Sequence, residues 1–203
     1  MDDDFLSKLL DSLDYLTQRD SADHPAVNYP AERWFDCATI LKEEHGYDLL
    51  SDATCIDWDK ESPRFSAVYH LFSTKTHNYI RVVVDAQDDE NPSLPSVTSL
   101  WAAANWHERE AYDMFGVTFD NHPDMRRILM WDSYPWHPLR KEFPLAGHDT
   151  DLPDLEVREE TGTPVIPAPM AGGPFVSSQQ ARLMSKNEPR GADQSWNEEE
   201  EKR

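Results

Sequence analysis

Residues 106–116, Trp-His-Glu-Arg-Glu-Ala-Tyr-Asp-Met-Phe-Gly, crowd a histidine, three acids and an arginine into one short stretch. Side chains of these types suggest a metal site or an acid–base pair, but their spacing refuses both. A zinc helix of the His-Glu-x-x-His kind needs its second histidine four residues after the first, and Ala111 stands there. Glu108 and Glu110 lie two apart and so face different sides of a helix, a poor arrangement for carboxylates that must flank one bond. Arg109 and Asp113 are four apart and are expected to pair across one turn. The stretch therefore reads as an ion-paired helix whose aromatics pack inward, with no catalytic residue assigned.

A second unusual region follows. Residues 122–143 hold four Arg/Lys against three Asp/Glu, a basic island in a chain of formal charge −20. Its prolines preclude long helices, yet Leu129, Met130, Trp131, Leu139 and Phe143 are more apolar than a plain surface loop requires. Arg and Trp are enriched in the buried centres of protein interfaces, so this segment is expected to be a docking surface for another protein. The alternative is an internally packed loop. No Gly-rich phosphate loop and no Gly-x-Ser-x-Gly elbow occurs, and the scattered histidines, with His122 and His137 directly before proline, fit loop packing better than ligation.

The elements that must position these residues can be read from periodicity. Phe5, Leu6, Leu9, Leu10, Leu13 and Leu16 recur at helical spacing and predict a helix over about 5–17. Pro30 opens and Gly46 closes a second helix, from Ala31 to about Glu44. Residues 48–58, 64–73 and 79–84 read as three strands. After the break at 91–95, Ser96 is expected to cap a helical region from Val97 to Phe115, ended by Gly116. Helices on a small, mainly antiparallel sheet make an α+β, two-layer domain over residues 1–148. Residues 149–203 read instead as a long extended C-terminal arm, since 150–203 hold six of the fifteen prolines and four of the seven glycines.

Composition excludes several functions. The charge of −20 opposes a nucleic-acid footprint, which needs clustered Lys and Arg. Cys37 and Cys55 cannot supply the four thiolates of an iron–sulfur cluster, and read as small buried hydrophobes. No apolar stretch nears the ~20 residues of a transmembrane helix. The acidic start, Met1-Asp2-Asp3-Asp4, differs from a basic secretory signal or an Arg-rich transit peptide, so a cytoplasmic address is expected.

The motifs taken together resemble one family. Glu108-Arg109-Glu110, Asp113-Met114-Phe115-Gly116, His122-Pro123, Arg126-Arg127-Ile128-Leu129 and His137-Pro138-Leu139-Arg140-Lys141 look like the signature of the respiratory complex I 30-kDa family, the C subunit of NADH-quinone oxidoreductase. Arg64-Phe65 to Leu71 and Pro95 to Trp106 extend the likeness, which covers about residues 34–147. Trp136 stands where the family often has glycine, and the arm does not match. The resemblance implies a non-catalytic scaffold role in the peripheral arm of an enzyme that passes electrons from NADH through FMN and Fe–S clusters to quinone and translocates protons. It implies no cofactor and no metal in this chain, and docking on the large quinone-site (D) subunit and adjacent cluster-bearing subunits. The expected place is peripheral, on the cytoplasmic side of the bacterial inner membrane. The signature residues are then the expected partner interface. Two rivals remain at this stage: a related membrane-bound hydrogenase-type complex with another electron donor, and an independent acidic binding module.

Overall fold

A computed structural model of the chain describes residues 3–144 and Gly162. The domain boundary at 148/149 and the C-terminal arm lie outside the described residues.

The described fold is α+β, with a mostly antiparallel sheet. Helix α1 (Asp3–Ser12) leads into strands β1 (Thr17–Arg19) and β2 (Ala26–Pro30). A turn of 3-10 helix and helix α2 (Trp34–Glu43) follow, then strands β3 (Leu49–Asp57), β4 (Phe65–Phe72) and β5 (Tyr79–Asp85). Strand β6 (Ser93–Pro95), helix α3 (Ala104–Phe115) and strand β7 (Thr118–Asp120) complete the regular elements. The main sheet has the order β1-β2-β5-β4-β3. Its β3–β4 and β4–β5 pairs are antiparallel, as period-two alternation predicts, but β2 joins β5 in parallel.

Alternation along the central strands builds the core. Phe65, Ala67, Tyr69 and Leu71 of β4 and Ile80, Val82 and Val84 of β5 point to one face and are buried against Trp34, Ala38 and Leu41 of α2 and Ala104 and Ala111 of α3. Cys37 and Cys55 are free and buried within this cluster, as small apolar residues would be.

Three sequence expectations change. The first helix stops at Ser12 rather than near 17, because Tyr15 takes a left-handed φ of 70°; Leu13 and Leu16 still reach the core from the turn. Strands β1 and β2 escape notice because three and five residues are too short for a convincing period. The helical region over 97–115 begins only at Ala104. Ser96 is not its cap: its hydroxyl is drawn to Glu108, and the chain folds over so that Val97 and Trp101 are buried, the Trp101 indole donating to the Tyr47 carbonyl at 3.1 Å. That turn sets α3 against the β3 side of the sheet.

Ile80 is wholly buried at the centre of this face. Replacing it with alanine is expected to cost about 2–5 kcal/mol, read as a lower urea midpoint at unchanged slope.

Candidate functional site

The signature residues converge on helix α3, and the order of their contacts follows from what a helix end lacks. The last four carbonyls of an α-helix have no partner within it. Here each finds one. Gly116, at φ 74°, turns its N–H back to Tyr112 O at 2.8 Å. The carbonyl of Asp113 accepts from His137 Nδ1 at 2.9 Å and from Arg127 Nη1 at 3.2 Å. Met114 O accepts the Leu139 N–H at 3.0 Å, and Phe115 O accepts Arg140 Nε at 2.6 Å. Segment 121–141 thus lies along the end of α3 as a clasp.

The Asp113 side chain holds the same segment from the other side. One carboxylate oxygen accepts three successive backbone N–H groups, from Ile128, Leu129 and Met130, at 3.0, 2.7 and 2.8 Å. The other accepts Arg127 Nη1, whose Nη2 donates onward to the carbonyls of Tyr134 and Trp136 at 2.6 and 3.2 Å. Asp113 is completely buried. Burial alone would raise its carboxyl, but the three amides and the Arg127 guanidinium outweigh it and hold the group below the ordinary 3.8. An ionised, fully bonded carboxylate is the result.

The expected Arg109–Asp113 pair across one helical turn does not form. Arg109 instead donates to the carbonyls of Arg126 and Arg127, both at 3.1 Å. Glu108, one residue earlier, faces inward at 1% exposure and accepts from Ser96 Oγ at 2.6 Å and the Val97 N–H at 2.8 Å. Glu110 is exposed, so the two glutamates do lie on different faces. His122 Nε2 sits 4.0 Å from Glu108 and 3.3 Å from the Asn105 carbonyl.

Asp57, at the end of β3, was silent in the sequence. It takes Arg64 bidentately, both bonds 2.8 Å, and receives the Lys141 N–H at 2.8 Å, fastening the clasp's far end to the sheet. The guanidiniums of Arg64 and Arg140 both lie over the Phe65 ring, at 4.7 and 5.1 Å. An acidic strand end shortly before a proline turn carried no signal that would single it out.

Most of these side chains are therefore engaged by their own chain. Arg127 and Arg140 point inward and Pro138 is half-buried, whereas Pro123 is exposed. The outward side of the segment carries Arg126, 66% exposed and bonded to Asp124, together with Leu129 and Leu139 at 61% and 52%. Among the described residues no three of His, Cys, Asp and Glu come together as a metal-binding group.

A family model described as the respiratory-chain NADH dehydrogenase 30 Kd subunit matches residues 27–149, from β2 through the clasp. The chain belongs to that family. Within it, the C subunit of NADH-quinone oxidoreductase from Moorella thermoacetica is 43% identical over 143 residues, which are 70% of this chain and 95% of that protein. The C/D subunit of NADH-quinone oxidoreductase from a Sulfurihydrogenibium species is 46% identical over 134 residues, 64% of this chain but only 23% of that longer protein. In the structure of membrane-bound sulfane sulfur reductase, an archaeal respiratory membrane complex, one chain superposes with a TM-score of 0.61 at 24% identity. The superposition covers 79% of this chain and 91% of that one, a likeness of fold alone. The family resemblance read from residues 34–147 is confirmed.

Two outcomes follow for the clasp of this 30 Kd family member. Asp113→Ala leaves Arg127 and three amides without their acceptor and should cost about 3–5 kcal/mol in urea unfolding. Because the folded carboxyl lies below 3.8, its contribution is complete above that pH and is lost as pH falls through the folded value; wild type and Asp113→Ala should converge in stability in acid. At Gly116 an added Cβ would meet Arg140 Nη2 at 2.6 Å and His137 Nε2 at 2.7 Å, and alanine at positive φ costs about 1–2 kcal/mol by itself. Gly116→Ala should therefore destabilise by at least that amount, with His137 displaced in its NMR spectrum.

Proposed function

We propose that this chain is a structural component of the peripheral arm of a proton-translocating NADH:quinone oxidoreductase, docked through the outward side of segment 121–141 on the large quinone-site (D) subunit. The observation that carries the reading is the division within that segment. The side chains of Arg127, His137 and Arg140 are consumed on the end of α3, while Arg126, Leu129 and Leu139 are left outward. Buried hydrogen bonds fix such a surface before a partner arrives, which reduces the ordering cost of association. Exposed leucines beside an arginine make the kind of apolar centre with a charged neighbour that interfaces use.

The fused C/D relative supports the quinone-site subunit as the neighbour, since a chain that joins two domains keeps them at high effective concentration. No helix among the described residues is long and apolar enough to cross a membrane, which agrees with attachment through other subunits on the cytoplasmic side of the inner membrane. On this reading FMN and the Fe–S clusters belong to partner subunits, and this chain serves electron transfer by holding the quinone-site subunit in place. The further signature residues, Glu108, Arg109, Asp113, His122, His137 and Lys141, act as positioning groups for the surface rather than as contacts.

The test separates inner from outer residues. Leu129→Asp with Leu139→Asp should leave the purified chain's melting temperature unchanged while lowering its recovery with the membrane complex and the NADH:quinone activity of those membranes by about tenfold or more. Arg127→Ala should lower the melting temperature of the chain itself. Full incorporation of the double aspartate variant would overturn the docking surface. Recovery in a complex without FMN and NADH oxidation would assign a different electron donor.

A further inference from the structure

The signature leaves one buried acid without an ionic partner. Asp113 has a guanidinium and three amides, but Glu108, at 1% exposure, has only two neutral donors, the Ser96 hydroxyl and the Val97 N–H. A carboxylate so buried with so few donors favours its neutral form. The structure also offers the neutral form a place for its proton. Ser96 Oγ lies 2.6 Å from Glu108 Oε2 and 3.0 Å from Thr98 Oγ1, and Thr98 is partly exposed. These three oxygens stand in a row from the buried carboxyl to a residue that is partly exposed.

We propose that Glu108 is an internal proton-binding site that exchanges with solvent through the hydroxyls of Ser96 and Thr98, and whose charge is felt by His122 at the base of the clasp. In the protonated state Glu108 donates to Ser96, and Ser96 donates to Thr98. On release, the Thr98 proton passes to water, the Ser96 proton to Thr98 and the Glu108 proton to Ser96, which leaves the Ser96 hydroxyl donating to the carboxylate. The Val97 N–H stays on Oε1 throughout, so the turn keeps its anchor while its charge changes.

The other ionisable groups that face Glu108 do not compensate the charge. Cys55 from β3 and Tyr69 from β4 are both buried and held neutral, each pushed further up by the carboxylate itself. His107, from the preceding position of α3, turns to Asp52 at 3.5 Å. His122, from the segment after β7, accepts the Asp124 N–H on Nδ1, so its neutral ring carries the proton on Nε2, the atom 4.0 Å from Glu108. Burial lowers its pKa. Across 4.0 Å an ionised Glu108 attracts the Nε2–H of His122, which also donates to the Asn105 carbonyl, while Arg109 disfavours a charge on the ring; a neutral Glu108 exerts no such pull. In agreement with this geometry, burial pushes the Glu108 carboxyl up to about 7, against the lowering effect of Ser96 and Val97.

The sign for stability is opposite to that of Asp113. A carboxyl raised in the folded state binds its proton more tightly there, so its favourable contribution is present at low pH and lost as pH rises from 4.5 to about 7.

The experiment is a carboxyl-carbon NMR titration of the full chain labelled on glutamate. One resonance should titrate near pH 7, far from the remaining glutamates at ~4.3, and should vanish in Glu108→Gln, whose amide keeps both contacts. Ser96→Ala removes a donor to the charged form and should move that midpoint upward. His122→Gln should move it too, by removing the Nε2–H that faces the carboxylate at 4.0 Å. If every glutamate titrates in the ordinary range, the proton site is overturned. A neutral midpoint indifferent to Ser96→Ala and to His122→Gln would overturn the relay and the coupling. Should Glu108→Gln fail to fold, the resonance displaced by Ser96→Ala identifies Glu108 in its stead.

Discussion

The structure rests on the burial of one carboxylate. Asp113 is withdrawn from water at the end of α3, and a charge in that position is tolerable only if its oxygens are fully bonded. The bonds come from a segment with too many prolines and turns to be ordered by helix or strand hydrogen bonding of its own. Three consecutive amides converge on one oxygen and a guanidinium on the other, so the segment takes its shape from the carboxylate. The orphan carbonyls at the helix end supply a second row of acceptors, and Gly116 leaves room for His137 and Arg140 to reach them. Acid, helix end and glycine form one arrangement, in which each would be costly alone.

Two acids on the same helix meet different fates for a simple reason. Asp113 sits where the chain brings a guanidinium and free amides together, so burial is overcome and the charge persists. Glu108 sits over the sheet, beside Tyr69 and Cys55, where only neutral donors can reach, so burial prevails. Neighbours, rather than depth, decide the outcome.

Much of the fold was legible because one face of its central strands carries large apolar residues at every second position. The strands over 48–58, 64–73 and 79–84 and the helix closed by Gly46 emerge from pattern and punctuation alone. The parallel β2–β5 pair was not legible, since a strand of five residues whose partner lies more than fifty positions away leaves no local trace. In the site, spacing argued against metal and acid–base chemistry, and the two glutamates do face apart, but it misjudged Arg109 and Asp113. A four-residue separation permits a pair without demanding it, and tertiary acceptors at 126 and 127 outcompeted the local one. The basic island proved to be both an internally packed loop and a bearer of exposed leucines, because the two sides of one irregular segment alternate without a period that sequence could display.

The strand order β1-β2-β5-β4-β3 also governs the sequence of events during synthesis. Strands β1 and β2 leave the ribosome early but have no sheet to join until β5, the strand between them and the rest, has emerged. The β3–β4–β5 meander can assemble by local closure, whereas docking of β2 requires a long loop to close first, the slower kind of step. The end of α3 likewise lacks its last partner until Arg140 has been translated. Nascent chains that end before Met130 lack part of the set of donors that makes the Asp113 carboxylate tolerable, and those that end before β5 lack the strand on which the sheet is assembled.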